Sequence, residues 1–373
     1  MQGLESYVPR PGLSIPVVTA LDRDGRLCED DQRALVRFAI QGGAGADIIF
    51  AAGTTGEWDR LDNARGQLVS RIAVEECRRA SRAGRKVEAW VGITAHARRE
   101  TLDNLAHAIE IAADAAVVAP LSIADVDDPV AFLSREIGAV FDKRGRAIPV
   151  FLYDNAEIAA PGKAPHMRTR DVKQMSRLKY VRGVKVTAGK AVLGNYTRAA
   201  SNFKLSGEFA IYAGNPYLIF ELFRPPEGVV GAIRRYWNRY WTQRVLPYGV
   251  VAGPANAMPR EWQRGWQVCR TGDSRLMARY ARVLDAFRAA CVFERGGRSF
   301  RPTIACLKAA LVEMGVCGSD AVAPGTPVMD AEERREFSRR FAELRRIAAD
   351  TLEPAWLSQY DCGLGQGRAQ QHG

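Results

Sequence analysis

Eight short apolar, β-branched segments recur along the chain at intervals of roughly 30 to 40 residues, and this rhythm constrains the fold more than any other feature. They read "GLSIPVVTAL" (12–21), "DIIFAAGTTG" (47–56), "KVEAWVGIT" (86–94), "AAVVAPLS" (115–122), "IPVFLYDN" (148–155), "VRGVKVTAG" (181–189), "FAIYAGN" (209–215) and "GVVAGPAN" (249–256). They are continuous apolar runs rather than strict alternations, the pattern of parallel strands buried on both faces. Helical patterns separate them. "EDDQRALVRFAIQGG" opens on Asp30 and Asp31 and stops at Gly42 and Gly43, while "RETLDNLAHAIEIA" sets Leu102, Leu105, Ala106 and Ile109 on one face. Eight strand–helix units in series, with no dinucleotide fingerprint at their start, predict an α/β fold closed as a (β/α)8 barrel of the TIM type.

The rhythm breaks in two places. Residues 216–248 form a long insertion between strands seven and eight, containing "RRYWNRYW". Ile233, Trp237 and Tyr240 fall there at helical spacing, which favours a buried helix face or a subunit contact over an RNA-binding surface. Beyond residue 260 the strands stop. "SRLMARYARVLDAFRAACVF", "FRPTIACLKAALVEMGV" and "AEERREFSRRFAELRRIAA" read as three helices, the last with Phe337, Phe341, Leu344 and Ala348 in an apolar stripe. The expected organisation is a barrel over 1–260, a C-terminal helical appendage over 261–350, and a partly disordered tail over 351–373.

Composition narrows the function classes. No apolar run reaches the ~18 residues of a membrane span, and the N-terminus lacks a basic start followed by an apolar stretch. The seven cysteines are scattered without a C-x-x-C, which supports neither a disulfide framework nor a zinc site, so a reducing cytoplasm is the expected home. The net charge of +11 is spread as Arg over helices, the mark of solvated faces rather than of a nucleic-acid partner.

Within this frame one residue stands out. Lys185 lies in the apolar run "VRGVKVTAGK", although the chain otherwise prefers Arg. A low-dielectric site disfavours the ammonium form, so an amine there can act as a nucleophile, which a guanidinium cannot. The chemistry that follows is imine formation with a carbonyl substrate. At other strand ends stand Tyr153, able to relay protons, and the Gly53-Thr54-Thr55-Gly56 turn, suited to hold a carboxylate. Each feature alone has a structural explanation; their joint placement at strand ends two, five and six gives them weight.

At these residues the chain resembles the dihydrodipicolinate synthase / N-acetylneuraminate lyase family of pyruvate-dependent class I aldolases. "GLSIPVVTALDRDGRL", "AAGTTGEWDRL", "VFLYDN", "VRGVKVTAGK", "FAIYAGNP" and "YGVVAGPANAMPREW" match the family's segments in order. The resemblance implies Lys185 as the lysine that forms a Schiff base with pyruvate or another 2-oxo acid, and Tyr153 as the proton-transferring tyrosine. It implies that Thr54 and Thr55 bind the carboxylate, with Thr54 also in the relay, and that Gly53, Gly214 and Val251 line the pocket. It further implies a homotetramer or dimer acting on a 2-oxo acid and an aldehyde, with no metal and no organic cofactor.

The departures bear on the second substrate. After the tyrosine, synthases read Asn-Val-Pro-Gly-Arg, the Arg binding that substrate's carboxylate, whereas "YDNAEI" puts Ile158 in its place. Lys163, Arg168 and Arg170 are the cations of the longer loop that follows. The family's Pro-Tyr-Tyr becomes Pro120-Leu121-Ser122, so Ser122 stands where a second relay tyrosine would come from across a dimer interface. Both changes argue against an authentic dihydrodipicolinate synthase. The expected activity is a lyase of the aldolase type: sugar-acid aldolase, hydratase-aldolase, keto-deoxy-sugar-acid dehydratase or divergent 4-hydroxy-tetrahydrodipicolinate synthase. Asn215 and His96, at the ends of strands seven and three, are further site candidates. The rival reading is a catalytically inactive barrel serving as a ligand sensor or assembly partner.

Overall fold

The computed structural model describes residues 4, 6–84, 86–199, 209–224, 233, 246–354 and 357–358. Most of the 216–248 insertion, with Trp237 and Tyr240, and most of the tail lie outside them. Ile233 is described and exposed, which does not fit the buried helix face expected of it. The eight apolar runs form eight parallel strands: β1 (Gly12–Pro16), β2 (Ile48–Ala51), β3 (Glu88–Gly92), β4 (Ala115–Val118), β5 (Val150–Asn155), β6 (Val181–Thr187), β7 (Ala210–Ala213) and β8 (Gly249–Val251). Each pairs with its sequence neighbour, and β8 closes on β1 through Gly12↔Gly249 and Ser14↔Val251. Helices lie between the strands, as in Glu29–Ile40, Asn63–Arg82 and Arg98–Glu110, so each connection crosses over and returns the chain parallel.

Strands buried on both faces produce two apolar layers. The outer one lies between sheet and helices. The inner one fills the barrel with Ile48, Phe50, Trp90, Val117, Phe151 and Tyr212. Trp90 and Phe151 stack at 4.0 Å between ring centroids, and Tyr212 meets Trp90 edge-on at 5.0 Å. Gly183 makes this plug possible, because a Cβ there would come within 2.4 Å of the Ala210 carbonyl and 2.8 Å of the Phe151 ring. Above the plug, β5 continues from Phe151 to Tyr153 and Asn155 at two-residue spacing on the same face.

The C-terminal region contains the expected helices at Ser274–Ala290, Thr303–Glu313 and Ala331–Thr351. Phe337, Phe341, Leu344 and Ala348 are all buried, and Phe287 packs edge-on against both phenylalanines. The last helix starts on a capping box between Asp330 and Glu333. The sequence reading carries the first of these helices through Phe293, and the structure corrects it. The helix ends at Ala290, and Phe293–Arg295 pairs antiparallel with Arg298–Phe300. The turn between them is Gly296-Gly297, at φ 58° and 73°, a left-handed pair that glycine adopts without cost.

Candidate active site

Because β5 and β6 run side by side in register, Tyr153 and Lys185 are direct cross-strand partners. Both are buried, at 5% and 6% exposure. The Lys185 Nζ sits 3.7 Å above the Tyr153 ring centroid and 5.0 Å from that of Phe50, so two aromatic faces receive the ammonium where water is scarce.

The Tyr153 hydroxyl is the centre of a small polar network. Thr54 Oγ1 lies 3.3 Å from it, and Asn155 Nδ2 donates to it at 3.1 Å. Burial pushes the phenol's pKa up, but the Lys185 charge, Thr187 and Thr54 outweigh it and bring it below the ordinary value. Thr187 Oγ1 is buried beside this group and completes no full hydrogen bond of its own. Gly214 gives it room: a Cβ at that position would lie 2.1 Å from Thr187 Oγ1. Only a glycine at the end of β7 admits the threonine.

Thr54, Thr55 and Gly56 form a single 3-10 turn after β2. The Thr54 and Thr55 N–H groups open the turn ahead of its first internal bond, in which the Gly56 N–H donates to the Gly53 carbonyl at 2.9 Å. Two left-handed residues flank it, Ala52 at φ 52° and Glu57 at φ 60°, a strain that persists only where the surroundings enforce it. Glu57 supplies the enforcement. Its buried carboxylate accepts from Lys308 Nζ at 2.6 Å, Ala323 N–H at 2.7 Å and Thr326 Oγ1 at 2.7 Å. Lys308, buried in the Thr303–Glu313 helix, also donates to the Ala321 carbonyl. Burial lowers the pKa of Lys308, with Glu57 opposing that shift. Thr19 Oγ1 donates to the Gly56 carbonyl at 2.7 Å and ties the turn to the end of β1. A Cβ on Gly53 would come within 2.8 Å of the Phe50 ring, and one on Gly253 within 3.4 Å of Thr55 Oγ1. Val251 belongs to the same inner cluster as Tyr153. The sequence reading singles out neither Lys308 nor Asn155.

The remaining candidates are placed differently. Ser122 is buried in the turn after β4, and Asn215 precedes a turn at Pro216–Leu218 without capping it through its side chain. His96 does not join the group around Lys185. It is exposed, contacts the Asp59 carbonyl at 3.1 Å and leans on Trp58, on a cavity shared with Asn63, Gln67, Asn104 and His107. Ile158 packs against the inner cluster that includes Tyr153. Of the loop cations, Lys163 is engaged by the Val126 carbonyl and by Asp127 at 2.5 Å, and Arg170 by Asp171. Lys163, Arg168 and Arg170 line a cleft of about 830 Å³ with Pro129, Gly162 and Gln174, and that lining includes neither Lys185 nor Tyr153. Asp154 holds this loop in place, accepting from the Met167 N–H at 3.0 Å and contacting His166 Nδ1 at 2.9 Å.

Among the described residues no group of three or more His, Cys, Asp and Glu side chains could hold a metal ion, and no helix is long and apolar enough to cross a membrane. The model of the dihydrodipicolinate synthetase family matches residues 10–122, which carry β1 to β4 and the Thr54-Thr55 turn. The 4-hydroxy-tetrahydrodipicolinate synthase of Syntrophotalea carbinolica is 30% identical over 107 residues, 29% of this chain and 34% of that protein. That of Pseudomonas syringae is 29% identical over 215 residues, 57% of this chain and 65% of the relative. The likeness to the dihydrodipicolinate synthetase model lies in the first four strands and their connections. The chain's match spans less than two thirds of either relative's length. A likeness of fold extends over nearly the whole chain. A dihydrodipicolinate synthase from Bacteroides thetaiotaomicron superposes with a TM-score of 0.69 at 20% identity, covering 90% of this chain and 99% of that one. A Ruminococcus gnavus sialic acid aldolase superposes at 0.72 and 13% identity, covering 92% and 99%. These two likenesses are of fold.

Proposed function

We propose that the protein is a class I lyase of the aldolase type, joining a 2-oxo acid, pyruvate foremost, to an aldehyde or releasing it from one, through an imine on Lys185. The observation that carries this reading is the buried Lys185 amine over the Tyr153 ring, with the tyrosine hydroxyl in reach of Thr54. The ammonium first gives up a proton to Tyr153 in its phenolate form, whose share the lowered pKa raises. The free amine attacks the 2-oxo carbon, and Tyr153 returns the proton to the carbinolamine oxygen as water leaves. Tyr153, its proton spent on that water, takes one from the methyl carbon of the imine to give an enamine, and delivers it to the aldehyde oxygen as the enamine carbon adds to the aldehyde carbon. Water then hydrolyses the product imine and frees Lys185. Thr54 and Thr55 hold the carboxylate throughout. The chemistry calls for no metal or organic cofactor, since the imine formed on the lysine is itself the electron sink.

The second substrate follows from Ile158. An aliphatic side chain packed on the inner cluster offers no partner to a distal carboxylate, and Lys163 is already engaged by Asp127. The preferred aldehyde therefore lacks that carboxylate. Pyruvate consumption across an aldehyde panel tests the reading, with Lys185→Ala as the control. Turnover that survives Lys185→Ala overturns the imine route, and none with any aldehyde leaves the inactive-barrel reading. Ile158→Arg adds a test of specificity: the preference shifts about tenfold or more toward carboxylate-bearing aldehydes, on the order of 1.4 kcal/mol.

A further inference from the structure

We infer that Asn155 is a positioning residue for proton transfer, fixing the Tyr153 hydroxyl so that its own proton points into the reaction space. The inference rests on the imine reading of Lys185 but concerns a residue that reading does not assign.

The amide of Asn155 can face only one way. Asn155 caps the short turn Ala156–Ile158: its Oδ1 accepts the Glu157 N–H at 3.2 Å. That bond fixes the amide orientation, because a flipped group would set two donors against each other. The Nδ2 group must then face Tyr153 Oη, at 3.1 Å, and it can only donate. A phenol that accepts from Asn155 cannot spend its proton there. The proton is directed to Thr54 at 3.3 Å, to Thr187 or to the atoms bound at Lys185. Because Asn155 lies at the end of β5, two residues beyond Tyr153 on the same strand face, and is itself buried, strand geometry rather than a mobile loop holds the donor.

A donor on the phenol oxygen also favours its ionised form. Lys185, from β6, is the charged group facing the phenol, and Thr54, Thr187 and Phe50 are uncharged neighbours. Replacing the amide by an apolar isostere removes one of these supports and leaves the lysine in place. Replacing it by a carboxylate, as in Asn155→Asp, reverses the bond, since the new carboxylate would accept the phenol proton and hold it away from the substrate.

The test reads Tyr153 directly and does not depend on turnover. Tyrosine labelled with carbon-13 at the ring carbon bearing oxygen is titrated by NMR, with Tyr153→Phe assigning the signal. Asn155→Leu is expected to raise the Tyr153 midpoint by about one pH unit and to lower kcat about tenfold, with KM for pyruvate little changed. Asn155→Asp raises the midpoint further and lowers kcat more. Should the leucine variant not fold, Asn155→Ala carries the same test. Pyruvate with borohydride, run in parallel, separates the two claims. Labelling of Lys185 with an unmoved Tyr153 midpoint overturns the role of Asn155. A midpoint that moves as stated, without labelling of the wild type, overturns the imine reading and leaves the Asn155 bond standing.

Discussion

Replacing Lys308 by Met removes one half of an ion pair that the fold has taken wholly out of water. Lys308 and Glu57 side chains are 3% and 0% exposed, with Nζ and Oε2 2.6 Å apart. Breaking a buried pair costs about 3–5 kcal/mol, because the surviving charge stays buried without its partner. Here Glu57 retains the Ala323 N–H and the Thr326 hydroxyl, which places the expected cost near the lower bound, at about 3 kcal/mol. At about 2 °C per kcal/mol for a large domain, Tm falls by about 6 °C. Glu57→Gln combined with Lys308→Met leaves no buried charge, so the double variant is expected to be more stable than Lys308→Met alone. Thermal and urea denaturation of the wild type, both single variants and the double variant complete the cycle. The loss should also reach the site, since Glu57 ends the turn that carries Thr54 and Thr55. KM for the 2-oxo acid rises in folded Lys308→Met, while borohydride still labels Lys185. A cost for Lys308→Met below about 1 kcal/mol, or two single costs that simply add, would refute the coupling.

Three further expectations follow from the same geometry. Gly214→Ala sets a Cβ 2.1 Å from Thr187 Oγ1, so it should destabilise by about 1–3 kcal/mol and depress activity, with partial relief in Gly214→Ala/Thr187→Ala; denaturant midpoints and kcat/KM measure both. His96→Ala is expected to leave pyruvate labelling and turnover unchanged, because His96 lies on a separate cavity; a fall of tenfold or more would return it to the site. Glu76 is buried and opposed in sign by burial, which raises its pKa, and by Arg37 and Arg33, which together bring it below 4.5. Its contribution is therefore fully present above pH 4.5 and lost as the pH falls through the lowered folded value. Glu76→Gln should cost about 1.5–3 kcal/mol at neutral pH, and the gap should close on acidification, as read by urea unfolding across that range.

How far the sequence discloses the site depends on how local each signal is. The eight strands are legible because parallel strands buried on both faces must be apolar without interruption, and this is visible in a few consecutive letters. Lys185 is legible for the complementary reason, a charge where the run forbids one. Lys308 is not, because a lysine in a helix ordinarily reaches solvent, and its partner Glu57 lies 251 residues away. The hairpin around Gly296-Gly297 is hidden because three-residue strands carry too little periodicity to be told from a helix end. His96 shows the limit of strand-end reasoning: it places a residue at the barrel's upper rim without saying on which side of the strand ring the side chain falls. Asn155 could have been found by counting along β5, since Phe151, Tyr153 and Asn155 share one face.

The central claim is the imine on Lys185, and trapping it is the most direct measurement. The full chain is incubated with pyruvate, reduced with borohydride and read by intact mass and peptide mapping. One reduced pyruvate adduct per chain is expected, on the peptide containing Lys185, with loss of activity in proportion. No adduct is expected in Lys185→Ala. A wild-type protein that stays unlabelled while consuming pyruvate, or one labelled at another lysine such as Lys308, would contradict the claim.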